Sequence, residues 1–317
     1  MSEVAISVAN RSELRRTERR FKAKRYALLY VFCIIPVAAL FIFNYIPIYG
    51  IIIAFKDFKP TLGIIRSPWN NFLHFKDFFA NPYFFRVFRN TVIISFLRLA
   101  FAFPAPIILA ILLNELQNLK CKKVVQSISY LPHFMSWVAI ATIIVELLSP
   151  TRGVVAVIAR WFNLREVPYI MVDKDLFRPM LVVTHIWKAV GWGTIVYLAA
   201  ISSIDPTLCD VADMDGVGRF AKAWYITIPS IVPVIIVLFI LSVGPLLNAG
   251  FDQIFNLYNP MVYEVADIID TYVYREGLLG GRFGYGAAVG LFKNAIGATL
   301  VVGTNAIARR FSEYGIW

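Results

Sequence analysis

Five ionisable residues sit where an apolar chain accommodates them least. Arg98, Glu146, His185, Lys188 and Lys293 all fall inside long hydrophobic stretches of this 317-residue sequence. Arg98, Lys188 and Lys293 lie about eight or more residues from the nearest end of their stretch, roughly 12 Å along a helix rising ~1.5 Å per residue. A charge at that depth in a membrane costs about 2.5–3.5 kcal/mol on insertion scales, which argues against a lipid-facing position. His185, Lys188 and Trp192 follow the spacing i, i+3, i+7 and share a helix face. That face offers a cation, a switchable cation and a flat aromatic. Asn294 adjoins Lys293, whose own face carries Gly290 and Gly297. These faces either line a hydrophilic path, or each charge is paired within the bundle, for example Glu146 with Lys188 or Arg98, or snorkels.

Chemistry on this chain itself finds no support. There is no G-x-x-x-x-G-K-[ST] phosphate loop. The Gly-rich stretch 280–290 lacks the following Lys-Ser/Thr, and Gly286-x-x-x-Gly290 reads as a close helix-packing face. His74, His133 and His185 have no H-E-x-x-H spacing, and no Ser-His-Asp set can be argued. Cys33, Cys121 and Cys209 have no metal-site spacing, and on the topology below no disulfide is expected. The expectation is no catalytic residue, no metal and no cofactor bound by this chain.

The elements that carry these residues follow from composition. The chain is 59% hydrophobic and 16% charged, against about 25% charged in soluble domains. It reads as an all-α polytopic membrane bundle. Six spans are expected, at about 26–47, 88–113, 124–148, 179–203, 228–247 and 284–308, within a permease domain 26–310. Pro104 and Pro106 bend the second span, and Pro179 opens the fourth. The net charge of +11 is concentrated in segment 1–25, in Lys120, Lys122 and Lys123, and in Arg309 and Arg310. That pattern is better read as cytoplasmic retention than as a nucleic-acid arm. Both termini, including the tail 311–317, are then cytoplasmic. Loops 56–86, 150–178 and 248–283 face outward, although 150–178 carries five basic residues against three acidic.

One polar interruption stands out. Between the fourth and fifth spans lies loop 204–227, with Asp210, Asp213 and Asp215 before Gly216. Asp205 is a helix cap and Pro206 suits a first helical position. A short helix is predicted to about residue 214, a turn at Gly216, then a second run from Arg219 to Thr227 leading into Pro229. Such a helix–turn–helix has little core of its own and must dock on something. Its acidic residues are repelled by an anionic leaflet, so a basic protein groove suits it better.

Leu208-Cys209-Asp210-Val211-Ala212-Asp213-Met214-Asp215-Gly216, followed by Ile226-Thr227-Ile228-Pro229, resembles the "EAA" loop of permease subunits of binding-protein-dependent ABC importers. Asp210 replaces the usual Glu, Val211 the first Ala, and Ile228 the Leu, with charge sign and size class roughly kept. Tyr45-Ile46-Pro47-Ile48-Tyr49-Gly50 with Ala54-Phe55-Lys56-Asp57-Phe58, the run Gly284-Tyr285-Gly286-Ala287-Ala288-Val289-Gly290-Leu291-Phe292, and the closing Gly315-Ile316-Trp317 resemble the branch that takes up complex oligosaccharides. The resemblance covers nearly the whole chain. It implies the type I ABC importer permease fold in a bacterial inner membrane. Its implied partners are a second permease subunit, two ATPase subunits that bind ATP and Mg, and an extracytoplasmic solute-binding protein docking on the outward loops.

Carried over by position, the resemblance makes Asp210, Val211, Ala212, Asp213, Asp215, Gly216, Arg219, Phe220 and Pro229 the ATPase-docking residues. Asp210 pairs with a basic group, Ala212 sits against the groove wall, and Gly216 sets the elbow. Arg98, Glu146, His185, Lys188, Trp192, Lys293 and Asn294 are the candidate translocation path. Their surplus of positive charge points to an acidic oligosaccharide of the alginate or pectin kind. Two rival readings fit the same residues. A proton-coupled secondary transporter would work through Glu146 or His185, though no inverted repeat is visible. A membrane-embedded enzyme would need a clustered nucleophile or metal set.

Overall fold

The computed structural model describes residues 25–27, 29–162 and 167–311. Most of the basic segment 1–25, residues 163–166 and most of the tail 311–317 lie outside that set. Among the described residues regular structure is helical, apart from one isolated bridge between Lys56 and Trp69. Five helices are long and apolar enough to cross a membrane: α1 (Arg25–Phe55), α3 (Pro82–Asn114), α7 (Lys174–Ser202), α9 (Arg219–Val243) and α12 (Phe283–Phe311). A bent pair is the candidate for a sixth crossing. Leu119–Phe134 contains α4 (Leu119–Tyr130), and α5 (Trp137–Leu147) follows after a bend of 107°. The architecture is an all-α polytopic bundle.

The bounds differ from expectation where caps override hydropathy. α3 begins at Pro82, because Asn81 accepts a hydrogen bond from the Tyr83 amide at 2.9 Å. α7 begins at Lys174, because Asp173 accepts from the amides of Asp175 at 2.8 Å and Leu176 at 3.1 Å. Pro179 therefore lies inside that helix rather than opening it. α1 passes through Pro47, winding as a π turn at Phe41–Tyr45 and a 3₁₀ helix at Ile46–Phe55. Pro47 falls in the first turn of the 3₁₀ run, where its missing N–H is tolerated. The single helix expected over 124–148 is broken: a 3₁₀ turn at Leu131–Phe134 contains Pro132, and Ser136 caps α5 by accepting from Ala139 at 3.2 Å.

Segment 248–283 differs most. Read as an outward loop, it folds back into the bundle as α10 (Phe251–Leu257) and α11 (Ile269–Tyr272), the latter continuing as a π turn Val273–Leu279. Ile254, Val262, Ala266, Ile268 and Ile269 are fully buried. The first four pack with Ile94 of α3, Ile140 of α5, and Phe177 and Leu181 of α7, and Ile269 belongs to the second cluster. A second cluster joins Phe78 of α2 (Leu73–Ala80) and Phe84 to Tyr272, Tyr285 and Val289. A third joins Ala110, Tyr197, Ile201 and Ile231 of α3, α7 and α9. α1 contributes almost nothing to these cores, since residues 29–49 are all exposed within the chain.

Helix packing around α7 depends on absent side chains. A Cβ on Gly191 would strike the backbone oxygen of Ser129, and one on Gly193 would meet Pro106 at 2.9 Å. Beside it the Thr194 hydroxyl lies 3.3 Å from the Pro106 carbonyl. α7 thus sits in close contact with both the bent pair and the proline-kinked half of α3.

Candidate functional site

At mid-bundle three helices bring polar side chains together. Arg98 of α3 donates through Nη2 to His185 Nδ1 of α7 at 2.9 Å, and to Gln253 Oε1 of α10. A guanidinium can only donate, so Nδ1 accepts and the ring proton sits on Nε2. Gln253 is fully buried and held in turn by its own amide, which donates to Leu181 O and Thr184 Oγ1, both at 2.8 Å. Ser95, Arg98, His185, Ser242 and Gly250 border a cavity of about 250 Å³. A second cavity of about 540 Å³ is lined by Trp137, Phe251, Tyr274, Asp270, Lys293 and, again, Gly250. There Lys293 is paired with Asp270 at 2.6 Å and also donates to Asn248 Oδ1 at 2.9 Å.

The other candidates are placed differently. Lys188 donates to the carbonyls of Pro132, His133 and Met135, at 3.2, 2.9 and 2.5 Å, at the break between α4 and α5. Its ammonium also lies 5.5 Å from the Trp137 ring centre, and His185 stacks near the same indole at 6.5 Å. Trp192 stacks on His133 at 4.6 Å with the rings 2° from parallel. Glu146, in the last turn of α5, and Asn294 are exposed. The pairing of Glu146 with Lys188 or Arg98 does not form: the first cation goes to backbone carbonyls and the second to uncharged side chains. Arg98 and His185 therefore converge, Lys293 borders the adjoining cavity, and Glu146, Trp192 and Asn294 do not join them. Gly250, Gln253, Asp270, Trp137, Phe251 and Tyr274 were missed. Most belong to 248–283, whose acidic, Gly-containing composition resembles a solvated loop.

The polar loop forms a compact elbow. Asp205 caps α8 (Pro206–Met214) by accepting from the Thr207 amide at 3.0 Å. That hydrogen bond holds the Asp205 carboxyl below its usual range. The helix ends in a paired turn: Val217 N donates to Ala212 O at 2.9 Å and Gly216 N to Asp213 O at 3.1 Å. Gly216 has φ +72°, the left-handed conformation this ending requires. Lys222 Nζ closes the elbow on Asp213 at 2.6 Å. Asp210, Val211, Asp215, Arg219 and Pro229 are exposed, and Phe220 is 92% exposed. Ala212, at 6% exposure, is packed against this chain. Met214, 88% exposed and outside the expected docking set, presents a further large apolar side chain.

At the opposite end a charged clasp ties α3 to α11. Asp267, fully buried, meets Arg275 and the Tyr83 hydroxyl, each at 2.6 Å, and accepts from Thr271 at 2.7 Å. Burial alone lowers the Arg275 pKa, but the Asp267 carboxylate overrides it and holds the guanidinium above its ordinary value. Glu264 is held below its ordinary value by a hydrogen bond from Lys174.

An all-α bundle of five spans and one bent pair, with a capped helical elbow between two of them and a polar mid-bundle cluster, has the architecture of a membrane transport subunit. Residues 102–313 match the family described as "Binding-protein-dependent transport system inner membrane component", and the chain belongs to that family. It is 44% identical over 294 residues to Protein LplB of Bacillus subtilis (strain 168), covering 93% of this chain and 92% of LplB. It is also 44% identical over 276 residues to the polygalacturonan/rhamnogalacturonan transport system permease protein YteP of the same strain, covering 87% and 86%. Among solved structures it is similar to a chain of a bacterial ABC transporter involved in import of the acidic polysaccharide alginate. That similarity has a TM-score of 0.84 and 40% identity, and covers 93% of this chain and 99% of that one. A chain of a bacterial alginate ABC transporter in complex with an alginate pentasaccharide-bound periplasmic protein gives 0.84 and 39%, covering 93% and 98%. The fold is the type I ABC permease fold, and the protein is a multi-pass component of the inner membrane.

Proposed function

We propose that this chain is the membrane-spanning subunit of an ATP-driven importer of acidic oligosaccharides, alginate- or pectin-derived. The observation that carries the reading is the mid-bundle guanidinium of Arg98, which has no carboxylate within ion-pair distance among the described residues. Likeness to an alginate transporter chain over 93% of the sequence, and to a polygalacturonan/rhamnogalacturonan permease, supports the same cargo class. The chain pairs with a second permease subunit, and both termini face the cytoplasm. Two ATPase subunits bind ATP and Mg, and one grips the α8 elbow through Asp210, Val211, Asp215, Gly216, Arg219 and Phe220. Asp213, held by Lys222, and Pro229 belong to the same docking surface. A solute-binding protein delivers the sugar at the opposite end. Closure of the ATPases rotates α7 and α9 and switches the path past Arg98, His185 and Lys293 between outward and inward openings. The chain supplies the path and the mechanical link and catalyses nothing.

The test is uptake of a labelled galacturonate or alginate trimer into proteoliposomes holding the complete importer. The reading requires uptake that needs internal ATP and is insensitive to a protonophore. Uptake abolished by the protonophore and independent of ATP would replace it with proton coupling.

A further inference from the structure

The two central cavities meet at Gly250 but differ in charge. In the larger one the Lys293 ammonium is already answered by Asp270 at 2.6 Å, and Asp252 also lies in its wall. Its other surfaces are the rings of Trp137, Phe251 and Tyr274. At about 540 Å³ it falls within the roughly 300–1,000 Å³ of small-molecule sites, and aromatic faces with a few polar groups suit a sugar ring. The smaller cavity holds a cation that no carboxylate among the described residues neutralises. Both hydrogen bonds of Arg98 use Nη2, and its buried Nε has no partner among the described residues. A buried polar group left short of acceptors calls for a specific explanation.

Gly250 lies against the same guanidinium. Its φ of +78° turns the chain sharply between Leu246–Asn248 and α10. A Cβ there would overlap the Arg98 guanidinium, with Nη1 the nearest atom. Gly250 lines both cavities, and its missing side chain leaves the room that the guanidinium takes where they adjoin. Gln253 and His185 hold the other side of the guanidinium with neutral acceptors, which fix its orientation without cancelling its charge. A carboxylate in either acceptor position would have done both.

We propose that Arg98 Nη1, reached past Gly250, is a carboxylate-reading subsite for a uronate residue whose ring lies in the aromatic cavity against Trp137 and Tyr274. Gln253 is its positioning residue. This rests on the function proposed above and assigns the acid preference to one side chain. Charge-assisted hydrogen bonds exceed neutral ones by enough to give about tenfold or more in affinity.

The test is isothermal titration of the assembled importer in detergent, binding protein omitted, with tri-galacturonate and with its methyl ester. The wild type is expected to bind the acid at least about tenfold more tightly than the ester. Arg98→Gln should bring that ratio close to one. Gln253→Glu places an internal carboxylate on the guanidinium. It should give the same loss of preference in a protein whose buried cation is satisfied, so a failure of Arg98→Gln to assemble does not leave the matter open. A ratio kept in either variant overturns the subsite, and so does a wild type with no preference. If the ratio survives in the variants while ATP-dependent uptake of the acid persists, the subsite fails and the importer function stands. If the wild type neither binds nor imports the acid, the function falls with it.

Discussion

Replacing Lys188 by methionine separates a structural staple from a path residue. The ammonium sits where α4 breaks and α5 begins, and it collects the carbonyls of Pro132, His133 and Met135 at 3.2, 2.9 and 2.5 Å. Pro132 cannot continue the backbone ladder, and the chain turns by 107° over the following residues. Methionine has nearly the same length, so little packing is lost. What disappears is the donor set. Hydrogen bonds to a charged group contribute about 1.5–3 kcal/mol each, but three carbonyls share one partly accessible ammonium, so the total loss is about 2–4 kcal/mol. At about 2–4 °C per kcal/mol, the melting temperature falls by roughly 5–15 °C. The assay is thermal unfolding of the solubilised permease pair, followed by size-exclusion chromatography. Lys188→Arg should recover part of the loss. A melting temperature within about 1 °C of the wild type, with uptake abolished, would refute the staple and return Lys188 to the path.

Three further perturbations follow from the same geometry. Asp267→Asn leaves Arg275 without its carboxylate. Breaking a buried pair costs about 3–5 kcal/mol, reduced here to about 2–3 kcal/mol because the Arg275 side chain is 28% exposed, and thermal unfolding reads it. Gly191→Ala pushes a methyl against the Ser129 backbone oxygen and should prevent α4 from seating on α7, seen as loss of the assembled pair on size exclusion. The Glu264–Lys174 contact gives a pH signature. Because the Glu264 folded-state pKa is lowered, its contribution is present above the ordinary value of 4.5 and is lost as pH falls through the lower folded value. Glu264→Gln should remove that acid limb from a stability–pH profile and leave neutral pH nearly unchanged, since both side chains are about half exposed.

Hydropathy made most of the bundle legible, because a span advertises itself as a run of apolar residues. The elbow was legible from local chemistry: Asp205, Pro206 and Gly216 each have one strongly preferred role at a helix end, and each is found in it. What the sequence hid was tertiary. Segment 248–283 carries enough acid and glycine to look solvated, yet Asp267 is neutralised by Arg275, and Asp270 by Lys293, so the segment packs inside. The break at Leu131–Phe134 was hidden because hydropathy averages over Pro132 and Ser136. Helix periodicity put Lys188 and His185 on one face, but it could not tell that backbone carbonyls would claim the lysine and an arginine from another helix the histidine. Ala212 is named by the motif, which does not say that it packs against this chain.

The central claim is that a separate motor acts on the bundle through the α8 elbow. Substrate-stimulated ATP hydrolysis by the complete reconstituted importer tests it most directly, with Gly216→Pro and Asp210→Lys introduced one at a time. Proline cannot adopt the φ of +72° found at Gly216, and Asp210→Lys reverses the charge of an exposed side chain, so both alter the elbow while leaving the spans untouched. Both variants should insert and pair normally and lose the stimulation. Wild-type stimulation in both would contradict the claim.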